Sequence, residues 1–331
     1  MKLRPITRNE TAAALSLLTE GFPLLPENTW RQSFARMLAY AEEEGDGVVG
    51  QIGMAGGRDV GICLALPARR LVYAHTPRRQ VNLSAFYLKP GHEWMTTLFL
   101  RRLMADDSVD YLDVTASYSM REINRRIGFQ DHSAGMVVVP TAAACWRPGG
   151  AYRLLDLGDV PESALSPRIH GLLEHHRRLG CVALVVEKEG EYHPLILATT
   201  GRKGVAGARI LLVRDRALVH AVLGPLSRHL LGRGLFYLEY DAMAAPENLP
   251  EALFWRRSAP VQMTRAPEGE AIDLTFSEFA FIPSPKLSAG MKDLPARTRD
   301  RILRWSATGR FSSYTDPVTG VALQLAELGV V

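Results

Sequence analysis

The order in which strand-like and helix-like patterns follow one another constrains this chain most, because it decides which layers can be built. Residues 2–6 read as a short strand. Asn9 is placed to cap a helix over 10–20, whose Ala13, Leu15, Leu17 and Leu18 form an apolar face. A second helix runs from Asn28 or Thr29 to about residue 43, with Trp30, Phe34, Met37 and Leu38 on its core side. Turns at 44–47 and 55–59 bound strands at 48–54 and 60–66, a hairpin signature. Strands at 72–73 and 81–88 follow, then a helix at 96–104, a strand at 109–115, a helix at 120–126 and a strand at 136–139. This order predicts an α/β fold with a mixed sheet, antiparallel at its start and βαβ-like at its centre.

The pattern then recurs. Residues 141–166, rich in Ala, Gly, Pro and Asp, read as a linker. A helix at 167–179 leads to a hairpin of 181–187 and 195–200, a strand at 210–213, and a helix at 217–231 that Gly224-Pro225 should kink. A strand at 236–240, a helix at 249–257 and a last strand at 278–282 complete it. The halves share topology with little residue identity, so a structural duplication is expected. The predicted domains are 1–140 and 167–282, joined by the linker and followed by an appendage, 283–331, with one basic helix at 295–305.

Composition removes several classes. The chain has 331 residues and a net charge of +4, with scattered arginine pairs in place of a basic stripe interleaved with aromatics, so nucleic acid is not an expected partner. Cys63, Cys145 and Cys181 form no CxxC pair and no disulfide framework. Cys181 opens an apolar strand and reads as buried. No stretch reaches the roughly 20 apolar residues of a membrane span, and the N-terminus has no apolar region behind its charges. The expected location is the cytoplasm. His170, Glu174 and His175 lie at helical spacing that could put them on one face, but the pattern is not His-Glu-x-x-His and no further ligand is evident, so no metal is expected. A nucleophile elbow and a Gly-x4-Gly-Lys phosphate loop are both missing.

Residues 81–129 carry the chemistry. Leu88-Lys89-Pro90 ends a strand, Gly91-His92-Glu93-Trp94 turns into a helix, and Ile127-Gly128-Phe129 closes the next short helix. This arrangement resembles the core of the GCN5-related N-acetyltransferases, over residues 1–140 by element order and more loosely to 282. The resemblance implies two such halves in tandem. It also implies an acyl-CoA co-substrate, acetyl or longer, with its diphosphate on a glycine-rich loop at a helix N-terminus and its pantetheine arm on a free strand edge. By position, the candidate cofactor contacts are Tyr87, Leu88, Gly91, His92 and Trp94.

The sequence departs from that family at the loop. Glu93, Trp94, Met95 and Thr96 stand where the family places its glycines, and Glu93 repels phosphate. Asn124 stands where many members have a tyrosine general acid, and an amide cannot protonate a thiolate. Ser117 and Tyr118 are the remaining catalytic candidates at that strand end. In the second half Phe254 takes the tyrosine slot, Arg214-Asp215-Arg216 replaces the loop, and Glu239, Tyr240 and Asp241 are candidate acceptor-binding residues. The implied activity is acyl transfer to an amine or hydroxyl of a small molecule or peptide, by direct attack on the thioester. The alternative is an inactive module that binds or scaffolds. Acyl length, acceptor, active half and a homodimeric state stay open.

Overall fold

The computed structural model describes residues 1–23, 25–70, 78–202, 204–244, 253–256, 258–265 and 269–282. The expected strand at 72–73, the start of the expected helix at 249–257 and the appendage with its helix at 295–305 lie outside these residues. The chain forms two compact units, and their boundaries do not follow the expected linear division. Among the described residues, the first unit holds Met1–Ala134, most of 258–269 and Asp273–Ile282, and the second holds Gly135–Arg257 and Glu270–Ile272.

In the first unit β1 (Lys2–Pro5), β2 (Gly50–Ala55), β3 (Arg58–Arg70) and β4 (Arg78–Leu88) run antiparallel in sequence order, and β5 (Asp110–Asp113) lies parallel to β4. Helices α1 (Thr11–Gly21) and α2 (Glu27–Glu44) join β1 to β2, α3 (Thr96–Leu103) joins β4 to β5, and α4 (Tyr118–Arg126) leads to β6 (Gln130–Asp131). The start of the first helix differs from expectation. Thr7, not Asn9, is the cap: its hydroxyl accepts from Asn9 N–H and its own N–H donates to Glu10, a capping box that opens a short 3₁₀ turn before α1.

The second unit contains β7 (Gly135–Pro140), α5 (Thr141–Ala144), β8 (Arg153–Asp156) and α6 (Pro167–Arg178). It continues through β9 (Val182–Lys188), β10 (Glu191–Arg202), β11 (Val205–Val213), α7 (Arg216–Ala221), α8 (Leu223–Gly232), β12 (Tyr237–Ala242) and β13 (Phe254–Arg256). The expected linker is therefore built into this unit through α5 and β8. The expected helix at 217–231 divides at Val222 into α7 and α8. Gly224 is required there because a Cβ would stand 1.8 Å from the Arg147 carbonyl oxygen. Residues 254–256 form a strand, not the end of a helix; Phe254-Trp255-Arg256 pairs with β7 through Val138, Val137 and Met136.

The two sheets have the same order. The first runs β1-β2-β3-β4-β5-β14-β6, where β14 is Gln262–Met263, and the second runs β8-β9-β10-β11-β12-β7-β13. In each, one antiparallel strand sits between the parallel central pair and the far edge, and it comes from the other half of the sequence. This exchange is why a boundary at 140 misplaces β7. Two further elements close the described chain: β15 (Ile272–Asp273) and α9 (Glu278–Phe281). Residues 278–281 are thus helical where a strand was expected. Phe276 and Phe281 need a hydrophobic partner and find Tyr40 of α2, with ring centroids 4.2 and 5.4 Å away.

A buried polar network seats β14. Asn124 Nδ2 donates to Asp113 Oδ2 at 2.9 Å and to Gln262 Oε1 at 3.0 Å, and Gln262 Nε2 donates to Asp131 Oδ1 at 2.8 Å. Asn124 and Gln262 are both fully buried. Burial pushes the Asp113 carboxyl above the usual range, against the amide that donates to it. Gln262→Ala takes one partner from the buried Asn124 amide, while Asp131 keeps Arg125 at 2.6 Å, so it should cost about 1–3 kcal/mol of stability, read by urea unfolding of the full chain.

Candidate functional site

The first unit's central strands part. β4 and β5 pair from Gln80–Asp110 to Leu83–Asp113, after which β4 runs on to Leu88 and, among the described residues, no strand pairs with it on that side. A bulge marks the point of departure: the register with β3 shifts between Ile62 and Leu64, and Ala85 takes φ +48. The extra residue changes the faces of β4. Asn82 donates to the Thr275 carbonyl at 3.1 Å and the Ser84 hydroxyl bonds the Glu278 carboxylate, both on the α2 side. Beyond the bulge, Phe86 packs edge-on against Phe99 of α3, and Tyr87 packs against α1. Gly21 allows this approach, since a Cβ there would stand 2.4 Å from the Tyr87 ring.

The expected cofactor contacts gather at the end of this strand. Leu88 is buried in the core with Phe99 and Leu100. The Tyr87 hydroxyl donates to Glu20 at 2.9 Å; burial, and then that carboxylate, push its pKa up. Lys89 pairs with the same Glu20 at 3.4 Å. Gly91, at φ +85, donates its N–H to the Glu93 carboxylate at 2.8 Å. His92 precedes the short 3₁₀ turn Glu93–Met95, and its Nδ1 is buried with no hydrogen-bond partner among the described residues. Trp94 is 74% exposed.

Ser117, Tyr118 and Asn124 lie on α4 or at its start. The Ser117 hydroxyl caps the helix, accepting from Met120 N–H at 3.3 Å. Tyr118 is 76% exposed with the Arg121 guanidinium over its ring. Asn124 is part of the buried network that seats β14. Ser117 and Tyr118 stand at the exposed start of α4, four and five residues after the end of β5, and Asn124 is fully buried.

The fit to a coenzyme A group is divided. The bare edge of β4 suits an amide-containing pantetheine arm. The N-terminus of α3 does not suit a diphosphate, because the N–H of Gly91 is bonded to a carboxylate and the nearby Lys89 is paired.

The second unit closes the same place with its own chain. β10 occupies one edge of β11 along nearly its whole length, so β15, which also pairs with β11, takes the edge facing β12 beyond Arg209. Arg216 fastens this closure, donating to the Asp241 carbonyl at 2.8 Å and the Glu270 carbonyl at 3.1 Å. Arg214 pairs with Asp215, whose carboxylate caps α7. The expected acceptor residues are buried and satisfied. Glu239 meets Arg202 at 3.0 Å, Asp241 meets Arg209 at 2.8 Å, and Tyr240 shares a 2.6 Å hydrogen bond with His220. The histidines of α6 are likewise occupied or apart: His176 is buried with Nδ1 on the Leu172 carbonyl, its pKa lowered by burial to about 4, and Glu174 is bound twice by Arg177. Burial pushes the Cys181 thiol up to about 12.

Two features of this region are not legible in the sequence. Glu278 reads as the start of a terminal strand, and nothing local signals that it folds back to β4. The bulge at Ala85 has no glycine to mark it.

No family model and no curated protein sequence matches this chain. Its fold matches solved structures. A GCN5-related N-acetyltransferase from Anabaena variabilis ATCC 29413 superposes with a TM-score of 0.52 at 11% identity, over 79% of this chain and 72% of that one. A conserved protein of unknown function from Enterococcus faecalis V583, described as a probable N-acyltransferase, gives 0.50 at 12% identity over the same shares. At such identities the likeness is one of fold: this is the GCN5-related N-acetyltransferase fold, present as two mixed sheets. Among the described residues no helix is long and apolar enough to cross a membrane.

If the acids at the end of β12 serve the packing of the second unit, removing their cation must be costly. Arg209→Met leaves Asp241 buried without that partner and should destabilise the protein by about 3–5 kcal/mol, measured by chemical denaturation.

Proposed function

We propose that the first unit is an acyltransferase half that moves an acyl group from a thioester to an amine or hydroxyl acceptor, and that the second unit has a structural role. The observation that carries this reading is the asymmetry of the two central edges: β4 runs bare past Leu83, whereas β15 lies on the matching edge of β11.

The residues divide the work by face. The backbone of β4 from Ser84 to Leu88 offers unpaired amide groups to the amides of an extended donor arm, as a strand would, and holds the thioester between the two strand ends. The Glu278 carboxylate, hydrogen-bonded to Ser84, takes the proton of the attacking acceptor. A nitrogen–carbon or oxygen–carbon bond forms, the carbon–sulfur bond breaks, and the leaving thiolate takes a proton from the exposed Tyr118 or from water. Ser117, whose oxygen caps α4 and shares a 3.2 Å hydrogen bond with the Ser119 hydroxyl, can turn its O–H to the donor arm when Ser119 donates to it. A carboxylate on the acceptor side favours amines, which carry a positive charge before they react.

A second reading is favoured by Asn124, which is locked into the core where a general acid would help. The groove would then bind a thioester or amide chain without turning it over. The two separate in one assay, in which full-length protein is given acetyl-pantetheine or acetyl-CoA with a panel of primary amines while free thiol is followed. Amine-dependent thiol release, lowered about 100-fold in Glu278→Gln and about 10-fold or more in Tyr118→Phe, supports transfer. Saturable binding with no thiol release supports the binding module.

A further inference from the structure

The turn after β4 carries charge of the wrong sign for the donor that this fold implies. A helix start preceded by a glycine would ordinarily offer bare N–H groups to phosphate oxygens. Here the Gly91 N–H donates to Glu93 Oε2 at 2.8 Å, so a resident carboxylate already sits on it. The cation that could offset this, Lys89, is drawn to Glu20 at 3.4 Å, and Glu20 also accepts from Tyr87. Residues 94 to 96 contain no glycine, and the Trp94 indole stands exposed beside the turn. The strand edge that begins six residues earlier bears no such obstruction.

We propose that Glu93 sets the donor class: the groove recognises an acyl-pantetheine arm along β4 and rejects a nucleotide diphosphate at the start of α3. This rests on the acyltransferase reading and narrows it. The physical basis is a like-charge repulsion combined with the loss of one backbone donor. An oxygen of the diphosphate could bond Gly91 only by expelling the carboxylate, and the expelled group would still lie within a few ångströms of it. The amide chain of pantetheine is uncharged and is not affected. A selective site of this kind takes a short thioester, or one whose phosphate stays outside the groove.

The test compares donors by calorimetric titration, with Trp94 fluorescence as a second readout on the full chain. Acetyl-pantetheine should bind wild type within about threefold of acetyl-CoA, and 3′,5′-ADP should displace neither. Glu93→Ala should tighten acetyl-CoA about tenfold and leave acetyl-pantetheine within about twofold, because only the nucleotide gains a contact. Glu93→Gln, which removes the charge and can still cover Gly91, should give a smaller gain. Acetyl-CoA binding wild type more than about tenfold tighter than acetyl-pantetheine, with displacement by 3′,5′-ADP, would overturn the proposal and leave the acyltransferase reading standing. An acetyl-CoA affinity that is unchanged or weaker in Glu93→Ala would overturn it too. Failure of both thioesters to bind wild type would overturn the acyltransferase reading and this proposal with it.

Discussion

The rest of the structure depends on how β14 is held. A two-residue strand has little pairing of its own, and this one must stay between β5 and β6 although it lies more than a hundred residues away in sequence. The Gln262 side chain does this by joining Asn124, buried with it where unpaired amides are expensive, to Asp131 at the surface. Its counterpart in the second sheet, β7, is held by longer pairing with β12 and by β13 on its other side. The exchange makes neither sheet complete without residues from the other half of the sequence, so the two halves are expected to gain order together.

That arrangement has a chemical consequence. Asn124, expected from the resemblance near the catalytic position, serves the latch, and its burial leaves it nothing to do at the open end of the sheet. In the second sheet β11 carries β15 as an added partner, and Arg216 fastens that segment. Residues 270–282 thus act on both central edges. They fill one, and beside the other they leave the edge bare and bring Glu278 against Ser84. A single returning segment explains why the two similar sheets differ at their central edges.

Much of the fold was legible because it is written in local pattern. The helices over residues 10–20, 28–43, 96–104 and 167–179, and the hairpins between the antiparallel strands, follow from apolar periodicity and turns, and their order points to the right fold. The strand exchange was not legible. Gln262-Met263 is too short to show a period, and the pairing of 135–140 with β12 depends on contacts distant in sequence. The helix at 278–281 reads as a strand because its aromatic residues suit either, and packing on Tyr40 decides the matter. At the site, Glu93 on the turn could be weighed from sequence, since its charge and position are both local. The burial of Glu239, Tyr240 and Asp241 could not, because it depends on Arg202 of β10, His220 of α7 and Arg209 of β11. Glu278 could not either, because its place beside Ser84 requires the fold-back.

The most direct measurement is hydrogen–deuterium exchange across the two central edges, with and without acetyl-pantetheine. Those amides of residues 84–88 that face away from β3 should exchange rapidly and slow when ligand is added, and exchange at 210–213 should be slow and unchanged by ligand. Ligand-induced protection at 210–213, or slow exchange at those amides of 84–88 in the free protein with no response to ligand, would contradict the claim that the first unit alone offers an open edge.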